Sequence, residues 1–344
     1  MPAPQQENPL RGLPPDPFAR PFLTAANGEL LVHRRRPDGA VETLWRDRLV
    51  DGSESTTLTD GKFVPSRSEI AALVGSFAGV VSYPTKKVMH RFDQAGGEHA
   101  VEFIPRGAGR HGGPHLVLAC SEGDYLGLRV FDLSKKDGLR PVQQLRLPSS
   151  HALHWDEPTR SLWALGTNVF PRVRHDPPLK AVHGELRRYP VGDSGAGPLG
   201  EPTVYRLRDS PKVPGYKDDW RDGPHDLLLL PDTRTFLIST DLDVFQFDIH
   251  AADPNRTPEE NFTPARHGVL KGFTPRRPKD GFGSIKAMSL SPDGKDLLIA
   301  QADDDFYSTH LVSYRLDTQV RSDLQLPYKT YKARWFTAPD VESY

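Results

Sequence analysis

The chain has 344 residues with 37% hydrophobic side chains, enough for two ordinary domains or one large domain. Its 44 Lys and Arg residues nearly balance 45 Asp and Glu residues, so nothing in the charge attracts nucleic acid or an anionic membrane. No apolar run reaches the roughly 18 residues of a membrane span, and the N-terminal residues lack the apolar core of a signal peptide. We therefore expect a cytoplasmic protein without nucleic-acid or membrane partners.

Short apolar segments separated by 33 prolines and 29 glycines are typical of strands joined by turns. Residues 1–21 predict a disordered or extended N-terminal segment. Residues 28–47 predict a β-hairpin around a Pro-Asp-Gly turn, and residues 68–93 supply two or three further strands. The stretch EIAALVG in that second region is also compatible with one turn of helix.

Four later segments repeat one pattern, in which a polar residue opens an apolar strand and a turn and a second apolar strand follow. The opening residues are His99, His151, His225 and Lys286, which stand 52, 74 and 61 residues apart. A third and a fourth strand fit within each repeat, as in a propeller blade of roughly 40–50 residues. The extra residues near 167–223 predict a long insertion on one face.

The segment TYKARWF at residues 330–336 resembles the first strand of a blade with no blade after it. We predict that it pairs with N-terminal strands and closes the ring, because radial closure protects the edges of propeller sheets. The result is an all-β protein, a single β-propeller domain of six blades over residues 22–338 with a tail at 339–344. Five or seven blades stay open because the N-terminal third repeats poorly.

Three resemblances follow from these segments. The hairpin SPDGKDLLIA at residues 291–300 resembles the first turn of WD40-like propeller blades. The blade starts His99–Pro105, His151–Gly166 and Pro224–Leu227 resemble those of a little-characterised bacterial propeller family, over about residues 68–335. That resemblance implies the fold and no particular reaction. A looser similarity links the blade-start histidines to oligogalacturonate lyase, in which such residues hold a divalent metal; the surrounding sequence is not shared, so no substrate carries over.

The first strand of each blade lines the central channel, so the residues that open these strands should meet around the axis. Three imidazoles from His99, His151 and His225 are a typical ligand set for a catalytic divalent metal such as Zn, Mn, Fe or Ni. The other predicted site residues are Lys286, His154 and Arg334 as catalytic groups and Lys332, Glu98 and Asp226 as substrate contacts. In the alternative, the histidines hydrogen-bond the backbone of neighbouring blades and serve only to close the ring.

These residues predict a metal-dependent lyase, isomerase or cyclase that acts on a small, polar, anionic substrate at the channel mouth. The competing prediction is a non-catalytic propeller that binds a ligand or a partner protein through its top-face loops. Three equivalent histidines favour an enzyme, because a scaffold needs no such arc. The sequence fixes neither the substrate nor the metal, and it is compatible with a monomer.

Overall fold

A computed structural model describes the chain at residues 16–50, 60–92, 97–105, 113–121, 127–135, 140–169, 181–192, 197–210, 223–275, 284–303 and 307–337. These residues form six four-stranded antiparallel sheets arranged as the blades of a propeller, so the predicted all-β fold with six blades is confirmed. Residues 1–15 of the predicted N-terminal segment, much of the insertion near 167–223 and the tail at 339–344 lie outside the described residues.

In each blade the four strands lie side by side from the axis outwards. Blade 1 contains β24 (Ala333–Trp335), β1 (Phe22–Ala26), β2 (Glu29–Arg35) and β3 (Val41–Arg48). Blade 2 contains β4 (Asp60–Val64), β5 (Glu69–Val74), β6 (Phe77–Ser82) and β7 (Val88–Phe92). Blade 3 contains β8 (Glu98–Ile104), β9 (His115–Cys120), β10 (Gly127–Asp132) and β11 (Gln143–Arg146).

The remaining three blades follow in chain order. Blade 4 contains β12 (Ala152–Asp156), β13 (Ser161–Thr167), β14 (His183–Pro190) and β15 (Thr203–Asp209). Blade 5 contains β16 (Pro224–Leu230), β17 (Thr235–Thr240), β18 (Val244–Asp248) and β19 (Thr263–Pro264). Blade 6 contains β20 (Ile285–Leu290), β21 (Asp296–Gln301), β22 (Ser308–Arg315) and β23 (Arg321–Thr330).

Helix is scarce in the described part of the chain. The α-helix α1 (Pro258–Asn261) leads into β19, and three-residue 3-10 helices lie at Pro17–Ala19, Pro65–Arg67 and Ala265–His267. None of these helices is long and apolar enough to cross a membrane. The stretch EIAALVG is strand rather than helix, because β5 is buried along its whole length.

The core lies between neighbouring blades. Every residue is buried in the second strands β5, β9, β13, β17 and β21. Both faces of such a strand pack against another blade, which explains why its sequence reads as an unbroken apolar run rather than an alternating one. Each of the six apolar clusters accordingly joins side chains from adjacent blades.

The C-terminal strand closes the ring as predicted. β24 pairs antiparallel with β1, with Phe22 opposite Trp335 and Thr24 opposite Ala333. The indole of Trp335 is buried and donates a hydrogen bond to the Asp296 carbonyl of blade 6 over 3.1 Å. The closing strand is therefore held both by its own sheet and by the blade before it.

A buried histidine also lies at this junction. His33 of β2 hydrogen-bonds through Nε2 to the Tyr328 hydroxyl of blade 6 over 2.6 Å and through Nδ1 to the Thr43 hydroxyl over 3.1 Å. Its side chain is only 2% exposed, and burial lowers its pKa to about 4. Two neutral hydroxyl partners suit an uncharged imidazole, so protonation of His33 opposes folding.

We predict that His33 makes the protein less stable as pH falls from 7 to 5. The unfolded chain binds the proton with a pKa near 6.5 and the folded chain near 4, so stability is lost in the window between these values. For this one residue the expected loss between pH 7 and pH 5 is about 2 kcal/mol. Urea unfolding at both pH values, for the wild type and for His33→Gln, measures it. Equal losses in the two proteins would contradict the assignment, because other histidines titrate in both.

Candidate functional site

One titratable residue from each blade lies at the start of an innermost strand. We call this set the axial ring; in blade order from blade 2 round to blade 1 it consists of Asp60, His99, His151, His225, Lys286 and Lys332. Five of them are buried and His151 is partly exposed. The structure therefore brings together the four predicted blade starts and adds a member from each of the other two blades.

Local backbone irregularities position three of these side chains. The strand pairing shifts by one residue at His99 in β8, at His225 in β16 and at Lys286 in β20. Each is the extra residue of a β-bulge, a device that re-aims a side chain and is common next to functional sites. The same irregularity at equivalent places in three blades directs the ring residues alike.

The three imidazoles are in direct contact. The ring centroids of His99 and His151 are 4.0 Å apart, and those of His151 and His225 are 5.3 Å apart. Burial lowers the pKa of each imidazole, and it lowers those of His99 and His151 well below the ordinary value. Nearby positive groups act in the same direction, and at His225 the strongest of them is Lys286. All three are therefore neutral near pH 7, as metal ligands or proton acceptors must be.

Each imidazole has one nitrogen on an oxygen partner. His99 Nδ1 is 3.2 Å from the Tyr331 hydroxyl, and His151 Nδ1 donates to the Ser149 carbonyl over 2.6 Å. His225 Nε2 is 2.7 Å from an Asp241 carboxylate oxygen. The other nitrogens of His99 and His225 are buried and have no hydrogen-bond partner, and none is found for His151 Nε2 among the described residues.

Lys286 competes with Asp241 for the Nε2 atom of His225. Its Nζ lies 2.8 Å from His225 Nε2 and 3.7 Å from the Asp241 carboxylate. A neutral imidazole nitrogen either donates or accepts, so Nε2 serves Asp241 in one tautomer and Lys286 in the other. In the tautomer that donates to Asp241, Nδ1 keeps its lone pair.

A charge network underlies the axial ring. Arg334 of the closing strand makes two hydrogen bonds to Asp226, over 2.6 and 2.9 Å, and lies 3.3 Å from Asp60. Lys332 Nζ lies 3.7 Å from each of the same two carboxylates and donates to the His151 carbonyl over 3.0 Å. Burial opposes the ionisation of Asp226, but Arg334 and Lys332 outweigh it and lower its pKa to about 2.

Several predicted site residues have other surroundings. Asp226, predicted as a substrate contact, accepts a hydrogen bond from Arg334, and Glu98, predicted likewise, is buried against Arg129 over 2.7 Å. His154 packs edge-on against Phe236 of blade 5, with ring centroids 5.4 Å apart. The structure thus does not bring His154 to the axial ring, because alternation along β12 directs it into the interface between blades.

Three residues of the site were missed from the sequence: Asp60, Asp241 and Tyr331. Asp60 opens a blade that lacks the repeat pattern, and Asp241 lies in the turn after β17, at the open end of the β16–β17 hairpin where His225 also lies. Tyr331 precedes Lys332 and could have been found from that adjacency. Among the described residues, no group of three or more His, Cys, Asp or Glu side chains is placed to hold a metal ion as it stands.

Comparisons with known proteins match the fold alone. No protein-family model and no curated protein matches the chain. A functionally unknown protein from Desulfotomaculum acetoxidans is 11% identical over 88% of this chain and 81% of its own, with a TM-score of 0.48. Kuenenia stuttgartiensis hydrazine synthase is 11% identical over 88% and 78%, with a TM-score of 0.49. The Cps50 (Swd1) β-propeller domain of Myceliophteria thermophila is 13% identical over 81% and 73%, with a TM-score of 0.41.

We predict that Asp226→Asn costs about 3–5 kcal/mol of stability, because it removes one of the two carboxylates that neutralise the buried Arg334 and Lys332. The matched control is Asp323→Asn, which removes an exposed ion pair with Arg321, 2.7 Å long, and should cost less than about 1 kcal/mol. Chemical denaturation of both variants measures the difference. Similar small losses would mean that the network does not hold the blades together.

Proposed function

We propose that the axial ring binds a divalent metal through His99, His151 and His225 and that the protein is a metal-dependent enzyme. The observation that carries this proposal is the shared pattern of the three imidazoles, one nitrogen on an oxygen partner and the other without one. Metal-binding histidines commonly donate their second nitrogen to a carbonyl or a carboxylate in this way. Ser149 and Asp241 would hold His151 and His225 by such bonds.

The proposal requires movement of the three rings. As they stand, the described side chains do not converge on one ion. His99 and His151 are already in contact at 4.0 Å, so rotation about their side-chain bonds is the change that we expect on metal binding. Buried polar atoms without partners call for an ion, a water or a ligand, and the free nitrogens of His99 and His225 are of this kind.

Charge balance indicates the class of substrate. Lys286, Lys332 and Arg334 face the carboxylates of Asp60, Asp226 and Asp241, so the formal charges of the described groups cancel. A bound divalent ion would add two positive charges, which an anionic substrate would offset. A carboxylate with a neighbouring carbonyl or hydroxyl group fits this requirement.

The reaction that we propose is proton abstraction next to the substrate carboxylate, as in a lyase, isomerase or cyclase. A divalent ion, when bound, polarises a carbonyl or carboxylate oxygen and makes the neighbouring C–H acidic. Lys286, the only predicted catalytic residue in the axial ring, would hold the developing negative charge or carry the proton. Arg334 is committed to Asp226 and the Met288 carbonyl, which suits a positioning role.

A non-catalytic propeller is the second candidate. One observation favours it: all three axial cations already have carboxylate partners within the protein. In that case the axial ring fastens the blades, and ligands or partners bind elsewhere.

We expect near-stoichiometric Zn, Mn, Fe or Ni in protein purified without a histidine tag, measured by elemental analysis. His151→Ala removes one ligand and should reduce the metal content at least tenfold, since ligand loss weakens such sites strongly. His250→Ala, an exposed histidine outside the ring, is the control and should keep the metal. Protein that holds little metal, takes up none on dialysis and behaves like His151→Ala would favour the second candidate.

We also expect small carboxylates to raise the melting temperature of the metal-loaded protein. A ligand at 100 times its Kd adds about 2.7 kcal/mol to the free energy of unfolding. Malonate and pyruvate are suitable probes, with malonamide as the uncharged control. Lys286→Met should weaken the carboxylate effect; if that variant melts lower and keeps the effect in full, Lys286 is a structural residue of the channel.

A further inference from the structure

The outer rim between blades 1 and 2 carries exposed cations without carboxylate partners. They are Lys87 and Arg91, whereas the Lys86 ammonium in the same turn acts on the Asp47 carboxylate. Among the described residues neither Lys87 nor Arg91 has an ion pair, whereas Arg48 on β3 binds Glu29 over 2.8 Å. Lys86 and Arg91 instead lie over aromatic rings, 6.0 and 5.7 Å from their centroids. In a chain with a formal charge of −1, this is a local excess of positive charge.

An apolar surface lies among these cations. Val88 and Met89 are 46% and 39% exposed, and only Val204 and Val320 are comparably exposed among the large hydrophobic residues of the described chain. A pocket of about 400 Å³ lies beside the turn that precedes β7; its lining consists of Thr43, Leu44, Trp45, Arg46, Pro84 and Lys86. Adjacent exposed apolar residues beside a pocket are typical of a binding surface.

A β-bulge places the apolar and the cationic side chains on one side of blade 2. β7 has an extra residue at Met89, so Val88 pairs with Val81 and Arg91 pairs with Gly79. Directly opposed residues of an antiparallel pair share a face, and Val81 belongs to the core between blades 1 and 2. Val88 and Arg91 therefore both project towards blade 1, on the side of the pocket.

We propose that this rim binds an extended acidic peptide segment of another protein. β7 is the outermost strand of its sheet among the described residues, so its edge can pair with an added strand. The cations select negative side chains, and the pocket beside Trp45 accepts an apolar one. A second copy of this chain is a poor occupant, because pairing of two β7 edges brings two cationic segments together, and like charges across a strand pair are destabilising.

The test uses a fluorescein-labelled synthetic peptide with two central phenylalanines flanked by glutamates, followed by fluorescence anisotropy. Val88→Asp and Arg91→Glu alter the rim. Val320→Asp and Lys329→Glu are the matched controls, since Val320 is 44% exposed and Lys329 is an exposed lysine on blade 6. All four positions are at the surface, so the folded state should tolerate each change within about 0.5 kcal/mol. If Val88→Asp melts lower, Arg91→Glu alone decides.

Binding should weaken at least about tenfold in both rim variants and with added salt, and change less than about twofold in the controls. A glutamine version of the peptide should bind weakly. Absence of binding, or equal losses in rim and control variants, overturns the proposal. So does binding to phosphatidylserine vesicles without binding to the peptide, because that result assigns the rim to a membrane. The axial metal site is measured separately and does not affect these outcomes.

Discussion

Arg334 connects the last strand of the chain to three other blades. Its guanidinium binds Asp226 of blade 5, Asp60 of blade 2 and the Met288 carbonyl of blade 6. A buried charge is tolerated only when its partners are all in place, since an uncompensated one costs several kcal/mol. The network therefore forms only as a whole, so the ring closes and the axial charges become buried together. The interfaces between blades then supply the apolar burial that stabilises the closed form.

The same network fixes the strands from which the ring residues project. Asp226 also accepts from the Met288 backbone over 2.6 Å, which ties β16 to β20 directly beside His225 and Lys286. Side chains on strands held in this way are positioned more firmly than side chains on loops. The axial charges thus have a structural role whatever the ring binds, and a change at Asp226 or Arg334 would alter ligand binding through the position of the strands.

The repeat in the sequence was sufficient to predict the fold because strand alternation, turn residues and the polar blade starts recur together. It predicted the closing strand from TYKARWF and placed His99, His151 and His225 at equivalent positions, which the structure brings into contact. It could not predict the β-bulges, since a one-residue shift in pairing leaves no mark in composition. That shift decides whether Glu98 or its neighbour His99 reaches the axial ring, and Glu98 instead binds Arg129. The role of Asp241 could not be predicted, because a blade-start pattern carries no information about the turn that faces it.

The axis and the rim differ in whether their charged side chains are paired, and this difference determines how each surface can bind a ligand. At the axis Lys286, Lys332 and Arg334 each have a carboxylate partner, so a ligand there must bring or displace charge in a site largely screened from water. Such binding depends on side-chain rearrangement and little on ionic strength. At the rim Lys87 and Arg91 are exposed without carboxylate partners among the described residues, so attraction there is long-ranged, weakened by salt and needs no rearrangement of the core. Because β5 and β6 separate the rim from β4 and the axis, the fold can carry two binding surfaces whose affinities are set independently.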